Sequence, residues 1–196
     1  MTMRYLATAV LAAAVLAGCS TAAPEPSASP SAIAATCPET LVEPDPVEHG
    51  LGPFEEATGT PSLPEPEAAW WCTYSALDTA TPDPDGGVAY GWRLQGEPAT
   101  IAADDLAAVS DLLDGLEIPD PMRACTADLG PRHLLVLASG SARIGVAIDA
   151  FGCHDVRLTD DPWSVAPGET TDPDLVTGVL SPPDGMLAAL NGLVAP

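Results

Sequence analysis

The sequence predicts an α+β domain: an antiparallel sheet of two hairpins with helices packed on one face, in the order hairpin, helix, hairpin, helix, stabilised by disulfides. Three observations carry this reading. Residues 143–150 alternate Ile144, Val146 and Ile148 with Arg143, Gly145, Ala147 and Asp149, which is the two-residue period of a strand. Leu106, Val109, Leu113 and Leu116 recur at the spacing of one helix face. Cys37, Cys72, Cys125 and Cys153 are spread over both halves of the chain, an even number able to pair.

Taken in order, residues 38–68 are rich in Pro and Glu with few periodic apolar positions, and are expected to form an irregular segment held by Cys37. Residues 69–77, with Trp70, Trp71 and Tyr74, have strand-like content, and residues 88–94 answer them across a turn-rich loop at 79–87. Tyr90, Trp92 and Leu94 share one face of that second strand. A helix follows over 102–114, with Gly115 as its stop. Residues 133–138 and 143–150 flank Ser139, Gly140, Ser141 and Ala142, the clearest hairpin in the chain. Its alternation predicts one core face and one thinner or wet face. Residues 153–158 add a short third strand. Near the end, Ser181 as cap, Pro182 at the first helical position and Asp184 in the first turn predict a last helix, with Leu187, Leu190 and Leu193 facing inward.

The N-terminus reads differently. Arg4 and the free amine precede an apolar run from Tyr5 to Leu16, too short to cross a bilayer, which takes roughly 20 apolar residues. Small residues then lead into a cysteine. Leu16, Ala17, Gly18 and Cys19 together resemble the lipobox of bacterial lipoproteins, and the absence of a twin-arginine pair implies the general secretion route. The resemblance implies a lipoprotein signal peptide at 1–18, cleavage before Cys19 and a diacylglyceryl group on its thiol. Residues 19–36, rich in Pro, Ser and Ala, read as a tether able to reach up to ~50 Å, and 37–196 as a single α+β domain. The cysteine-bracketed hairpin and lipid tether resemble those of uncharacterised disulfide-containing lipoproteins of high-GC Gram-positive bacteria, a likeness that supplies no active site.

With Cys19 set aside, the remaining cysteines of an exported chain read as structural disulfides, and four of them allow three connectivities. The preferred pairing is Cys125–Cys153, which brackets the second hairpin, with Cys37–Cys72 flanking the other half. No C-x-x-C spacing is present, so zinc and redox motifs are not indicated.

Composition excludes more than it assigns. All 28 acidic residues lie beyond the signal, against five arginines there, and the chain contains no lysine. A domain this acidic lacks the basic footprint that nucleic acid requires, and an anionic membrane would repel it. Attachment therefore rests on the Cys19 lipid. Without lysine there is no Walker loop, no Schiff-base enzyme and no Ser-x-x-Lys hydrolase.

Candidate chemistry is sparse. No G-x-S-x-G elbow surrounds Ser139 or Ser141. His154 beside Asp155 is the best base candidate, with His133 and His49 read as ordinary positions. Asp83, Asp85, Asp172 and Asp174 sit close in pairs as calcium ligands do, yet in Asp-Pro and Asp-Gly turns. Carboxylate pairs such as Asp104–Asp105 and Asp160–Asp161 carry no discrimination in so acidic a chain. Aromatics concentrate in the first hairpin. Trp70 and Trp71 must face opposite sides, so Trp70, Trp71, Tyr74 and Trp92 are the candidate ligand contacts unless both sheet faces are covered. The expected function is a non-catalytic binding or interaction module on the extracytoplasmic face of the cell membrane. Its partner would be an envelope protein or a cell-wall ligand, and no cofactor or metal is implied. The alternative is a carboxylate-dependent hydrolase of cell-wall glycan.

Overall fold

Strand-forming runs separated by turns pair here into one antiparallel sheet. The structure, a computed structural model, describes residues 36–42, 52–78, 90–126 and 128–194. All lie in one unit spanning 35–196. The signal segment, Cys19, the tether up to residue 35, His49, and the loop 79–87 with Asp83 and Asp85 lie outside the described residues. Among the described residues, no helix is long and apolar enough to cross a membrane.

The elements are β1 (Ala68–Asp78), β2 (Tyr90–Thr100), a 3-10 turn (Ala103–Asp105), α1 (Leu106–Asp114), β3 (Arg132–Ser139), β4 (Ala142–Asp149), β5 (Val156–Thr159) and α2 (Met186–Leu193). The sheet runs β2-β1-β3-β4-β5, every neighbour antiparallel. Pairing of β1 with β3 joins the two predicted hairpins into a single sheet. The β1–β2 register shifts between Trp71 and Thr73, where β2 bulges around Gly96 (φ 70°) and tolerates Pro98.

Both faces of the sheet are buried. On one, Trp71, Leu135, Leu137, Ile144, Val146, Ile148, Val156 and Leu158 form a core with Val109 and Leu113 of α1 and Met186 and Leu190 of α2. On the other, Trp70, Cys72, Tyr74, Trp92, Leu134, Val136, Ala147 and Phe151 cluster with Cys37 and Leu41. The thinner or wet face expected for β4 is therefore replaced by a second core. Its cover is the irregular segment 36–42: Cys37 is bonded to Cys72, and the Tyr74 hydroxyl donates to the Pro38 carbonyl at 2.7 Å. This segment also runs along β2, with Leu41 N–H donating to the Trp92 carbonyl at 3.0 Å. Both preferred disulfides are present, with Cα–Cα separations of 6.4 Å for Cys37–Cys72 and 4.7 Å for Cys125–Cys153.

Helix α1 ends where expected, although Gly115 keeps a negative φ. Its missing side chain matters for space instead, since a Cβ there would stand 3.0 Å from Pro183 Cγ. The last helix differs from expectation. Ser181 is no cap: its N–H and carbonyl both pair with Glu117, at 2.8 and 3.0 Å. Pro182 precedes Pro183 and is thereby kept out of the helical region. The chain turns through Gly185 (φ 76°) before α2 starts at Met186.

Candidate functional site

The second face carries an unexpected feature, a chain of buried charges. Alternation along β3 places Arg132 on the same face as Leu134 and Val136, and register sets it directly opposite Asp149 of β4. Arg157 of β5 faces the same way. Arg132 Nε donates to Asp149 Oδ1 at 2.5 Å and Arg157 Nη1 to Asp149 Oδ2 at 2.7 Å, so one carboxylate joins three strands. Arg157 also donates through Nε to the Pro53 carbonyl at 3.0 Å and through Nη2 to Asp155 Oδ2 at 3.1 Å. Arg123 Nη2 then lies 2.7 Å from Asp155 Oδ1, while its Nη1 donates to Ser181 Oγ at 3.1 Å. The Arg123–Asp155 contact is an ion pair without an aligned hydrogen bond, and Asp155 Oδ1 is buried without one.

Removing these groups from water is costly, and the geometry shows how the cost is offset: each charge meets an opposite one at close range. The Arg132 guanidinium also lies over the Trp92 ring, 4.4 Å from its centroid, and Trp92 stacks on Phe151 at 5.7 Å. Burial pushes the Arg132 guanidinium below its ordinary range, and Asp149 opposes that shift.

Above this network opens a cleft of about 450 Å³. Phe54, Tyr90, Leu129 and Phe151 form its apolar walls, and Asp149, Asp155, Arg157 and Arg123 its charged floor. The Cys125–Cys153 disulfide and Asp128 stand at its margin. Asp128 staples the two loops of that margin, accepting from the Gly152 N–H at 3.3 Å and from the Thr126 hydroxyl. These hydrogen bonds, Thr126 first, hold the fully exposed Asp128 carboxyl below its usual range. The β4–β5 connection is tightly wound. Gly152 (φ 60°) and His154 (φ 58°) are both left-handed, and His154 is the one non-glycine so placed among the described residues. A second hollow of about 680 Å³ lies at the same disulfide, bordered by His154, the Pro182–Pro183 turn and Asn191.

The sequence-predicted contacts lie elsewhere. Trp70, Trp71, Tyr74 and Trp92 are all buried, so none offers an open aromatic face. Trp71 is enclosed by a stacked His133 ring at 4.7 Å and donates through Nε1 to Asn191 Oδ1 at 3.1 Å. Trp92 supports the site from beneath, through Phe151 and Arg132, and Tyr74 stands opposite Arg132 across the β1–β3 pair. His154 and Asp155 do not form a catalytic pair: Asp155 serves Arg123 and Arg157, and His154 Nδ1 meets the Asp149 carbonyl at 3.2 Å. Asp172 Oδ1 accepts from the Asp174 N–H at 2.9 Å, as in an ordinary turn, and Asp160 binds Thr171. Among the described residues, no three metal-ligating side chains converge.

Phe54, Tyr90, Asp128 and Phe151 were not singled out by sequence, and neither was the arginine network. One signal was present. In a chain without lysine, two of six arginines, Arg132 and Arg157, stand in strand runs otherwise largely apolar, near Asp149 and Asp155. The chain matches no protein-family model, and no curated protein and no solved structure matches it.

Proposed function

We propose that the protein is a lipid-anchored binding module on the extracytoplasmic face of the cell membrane, whose ligand sits in the cleft over the Arg157–Asp149 network. The lipobox at 16–19 and the disulfides support the location, since paired cysteines belong to oxidising compartments. In this reading the two helices cover the Trp71 face of the sheet and leave the opposite face to carry the site.

The observation that carries binding over catalysis is the commitment of the floor. Both oxygens of Asp149 accept from guanidiniums, and both oxygens of Asp155 face one. None is left to act as acid, base or nucleophile, whereas glycan hydrolysis takes two working carboxyl groups. What remains is a concave apolar surface of ligand-pocket size with convergent polar groups.

Two measurements test this on the full chain. Cys19→Ser should move the protein from the membrane fraction to the medium and abolish lipid labelling; an unchanged distribution overturns the anchor. Thermal midpoints in nonionic detergent, against peptidoglycan fragments, wall sugars and small solutes, should rise with one class only. That rise should be lost in Phe54→Ala, a change at a side chain 57% exposed and outside the core. Turnover of a wall fragment, or a shift indifferent to Phe54→Ala, counts against the reading.

A further inference from the structure

We infer that the cleft selects an organic cation: an amine or guanidinium group on an apolar body, its charge at Asp128 and its body against Phe54, Tyr90 and Phe151. The inference rests on the cleft being the ligand site, and it names the ligand's chemistry.

Both arginines that reach the cleft floor are already matched, Arg157 by Asp149 and Asp155, and Arg123 by Asp155. A ligand anion would have to take a guanidinium from the buried Asp149 or the half-buried Asp155 and leave that aspartate facing it without its partner. Asp128 is the opposite case. Its carboxylate is exposed at the margin and accepts from Thr126 and Gly152, and among the described residues no arginine pairs with it. A carboxylate with His154 as its charged neighbour, and without an arginine partner among the described residues, is thus held at the margin of a cleft that aromatic side chains also line, and ring faces attract cations. The surrounding field has the same sign, because the chain carries a formal charge of −22 and draws cations to its surface. A cavity near 450 Å³ has room for one ring or a short aliphatic chain with its head group.

The test uses three probes with one body and different heads: 3-phenylpropylamine, 3-phenylpropanol and 3-phenylpropanoate. Each is titrated calorimetrically against the full chain in nonionic detergent. The amine should bind about fivefold more tightly than the alcohol, the size expected of a partly exposed ion pair, and the advantage should shrink as salt is added. Asp128→Asn should remove that advantage while leaving the alcohol's affinity unchanged. Phe54→Ala should weaken all three, with the near-ultraviolet spectrum unaltered in both variants. Amine and alcohol binding equally, or the carboxylate binding best, overturns cation selection and leaves the cleft as a binding site. If none of the three binds, the cleft reading falls with it.

Discussion

Replacing Asp149 by Asn probes the buried network most directly. Arg132, Asp149 and Arg157 are exposed by only 3%, 4% and 1%, so little water reaches either guanidinium once the carboxylate charge is gone. Arg157 would keep Asp155 at 3.1 Å and the Pro53 carbonyl at 3.0 Å. Arg132 would keep the Trp92 ring among its contacts, worth up to ~2 kcal/mol when desolvated and less than a buried carboxylate supplies. Breaking a buried pair by removing one partner costs about 3–5 kcal/mol. For a domain of this length, each 1 kcal/mol lowers the melting midpoint by about 2–4 °C, so the expected loss is roughly 6–20 °C.

The assay is urea unfolding at pH 7 followed by tryptophan fluorescence, with both disulfides intact. A double-mutant cycle with Arg132→Met locates the cost. Once Arg132 is apolar, the Asp149→Asn penalty should shrink by about 1–3 kcal/mol, because one of the two guanidiniums that Asp149 serves is no longer there. The triple variant Arg132→Met, Asp149→Leu, Arg157→Met should lose less stability than Asp149→Asn alone, since its three replacements are apolar and strand no charge among themselves. A loss below about 1 kcal/mol for Asp149→Asn is the size of an exposed pair and refutes the reasoning.

Three further outcomes are expected. Native protein in mild reductant should open Cys125–Cys153 before Cys37–Cys72, because Cys72 is 1% exposed while Cys125 lies at the surface; mass mapping after alkylation reads the order, and the reverse order contradicts the burial argument. Tyr74→Phe leaves the Pro38 carbonyl buried without its donor and should cost about 1–3 kcal/mol in the same unfolding assay. Burial raises the Tyr74 phenol above its ordinary 10.0, so the folded state holds that proton more tightly; its contribution is intact below pH 10 and declines as pH rises beyond, a decline that Tyr74→Phe should remove. Burial lowers the His133 imidazole below 6.5, so the fold favours the neutral ring; that contribution is complete above pH 6.5 and is lost as pH falls beneath it, and His133→Gln should flatten this acid limb of stability.

The parts of the fold legible in the sequence are those set by local period and by covalent arithmetic. Ile144, Val146 and Ile148 announce β4, the Leu106–Leu113 stripe announces α1, and an even cysteine count limits the pairing. What could not be read was which groups stand on the opposite side of an element. Arg143, Gly145, Ala147 and Asp149 look like a solvent face, yet Arg143 is half-buried and the other three are buried. Ala147 clusters with Cys37, Leu41 and Phe151, whose docking depends on a disulfide and on strand register, and Asp149 is met by Arg132 and Arg157 from the neighbouring strands. Asp149 could be recognised as a core residue only once Arg132 was known to lie opposite it. The cleft was hidden for the same reason, since Phe54, Tyr90, Asp128 and Phe151 come from four separate stretches of chain. Trp70 and Trp71 show the converse error, because conspicuous aromatics on adjacent strand positions are both consumed when a sheet is covered on both sides.

The distribution of the few arginines links fold to function. A chain of −22 could spread its cations over the surface to soften self-repulsion, but Arg123, Arg132 and Arg157 are drawn to one end of one sheet face and matched there by Asp149 and Asp155. Inside, this links β3, β4 and β5 to the 52–54 segment through a single set of charge-assisted bonds. Outside, it leaves the acids largely uncompensated, so the domain's exterior repels an anionic membrane and attracts cations. On the proposed lipid anchor, the same field would keep the domain from lying flat on anionic headgroups. A cleft with a carboxylate at its margin and arginines locked beneath is the site to which this field would bring the proposed cationic solutes.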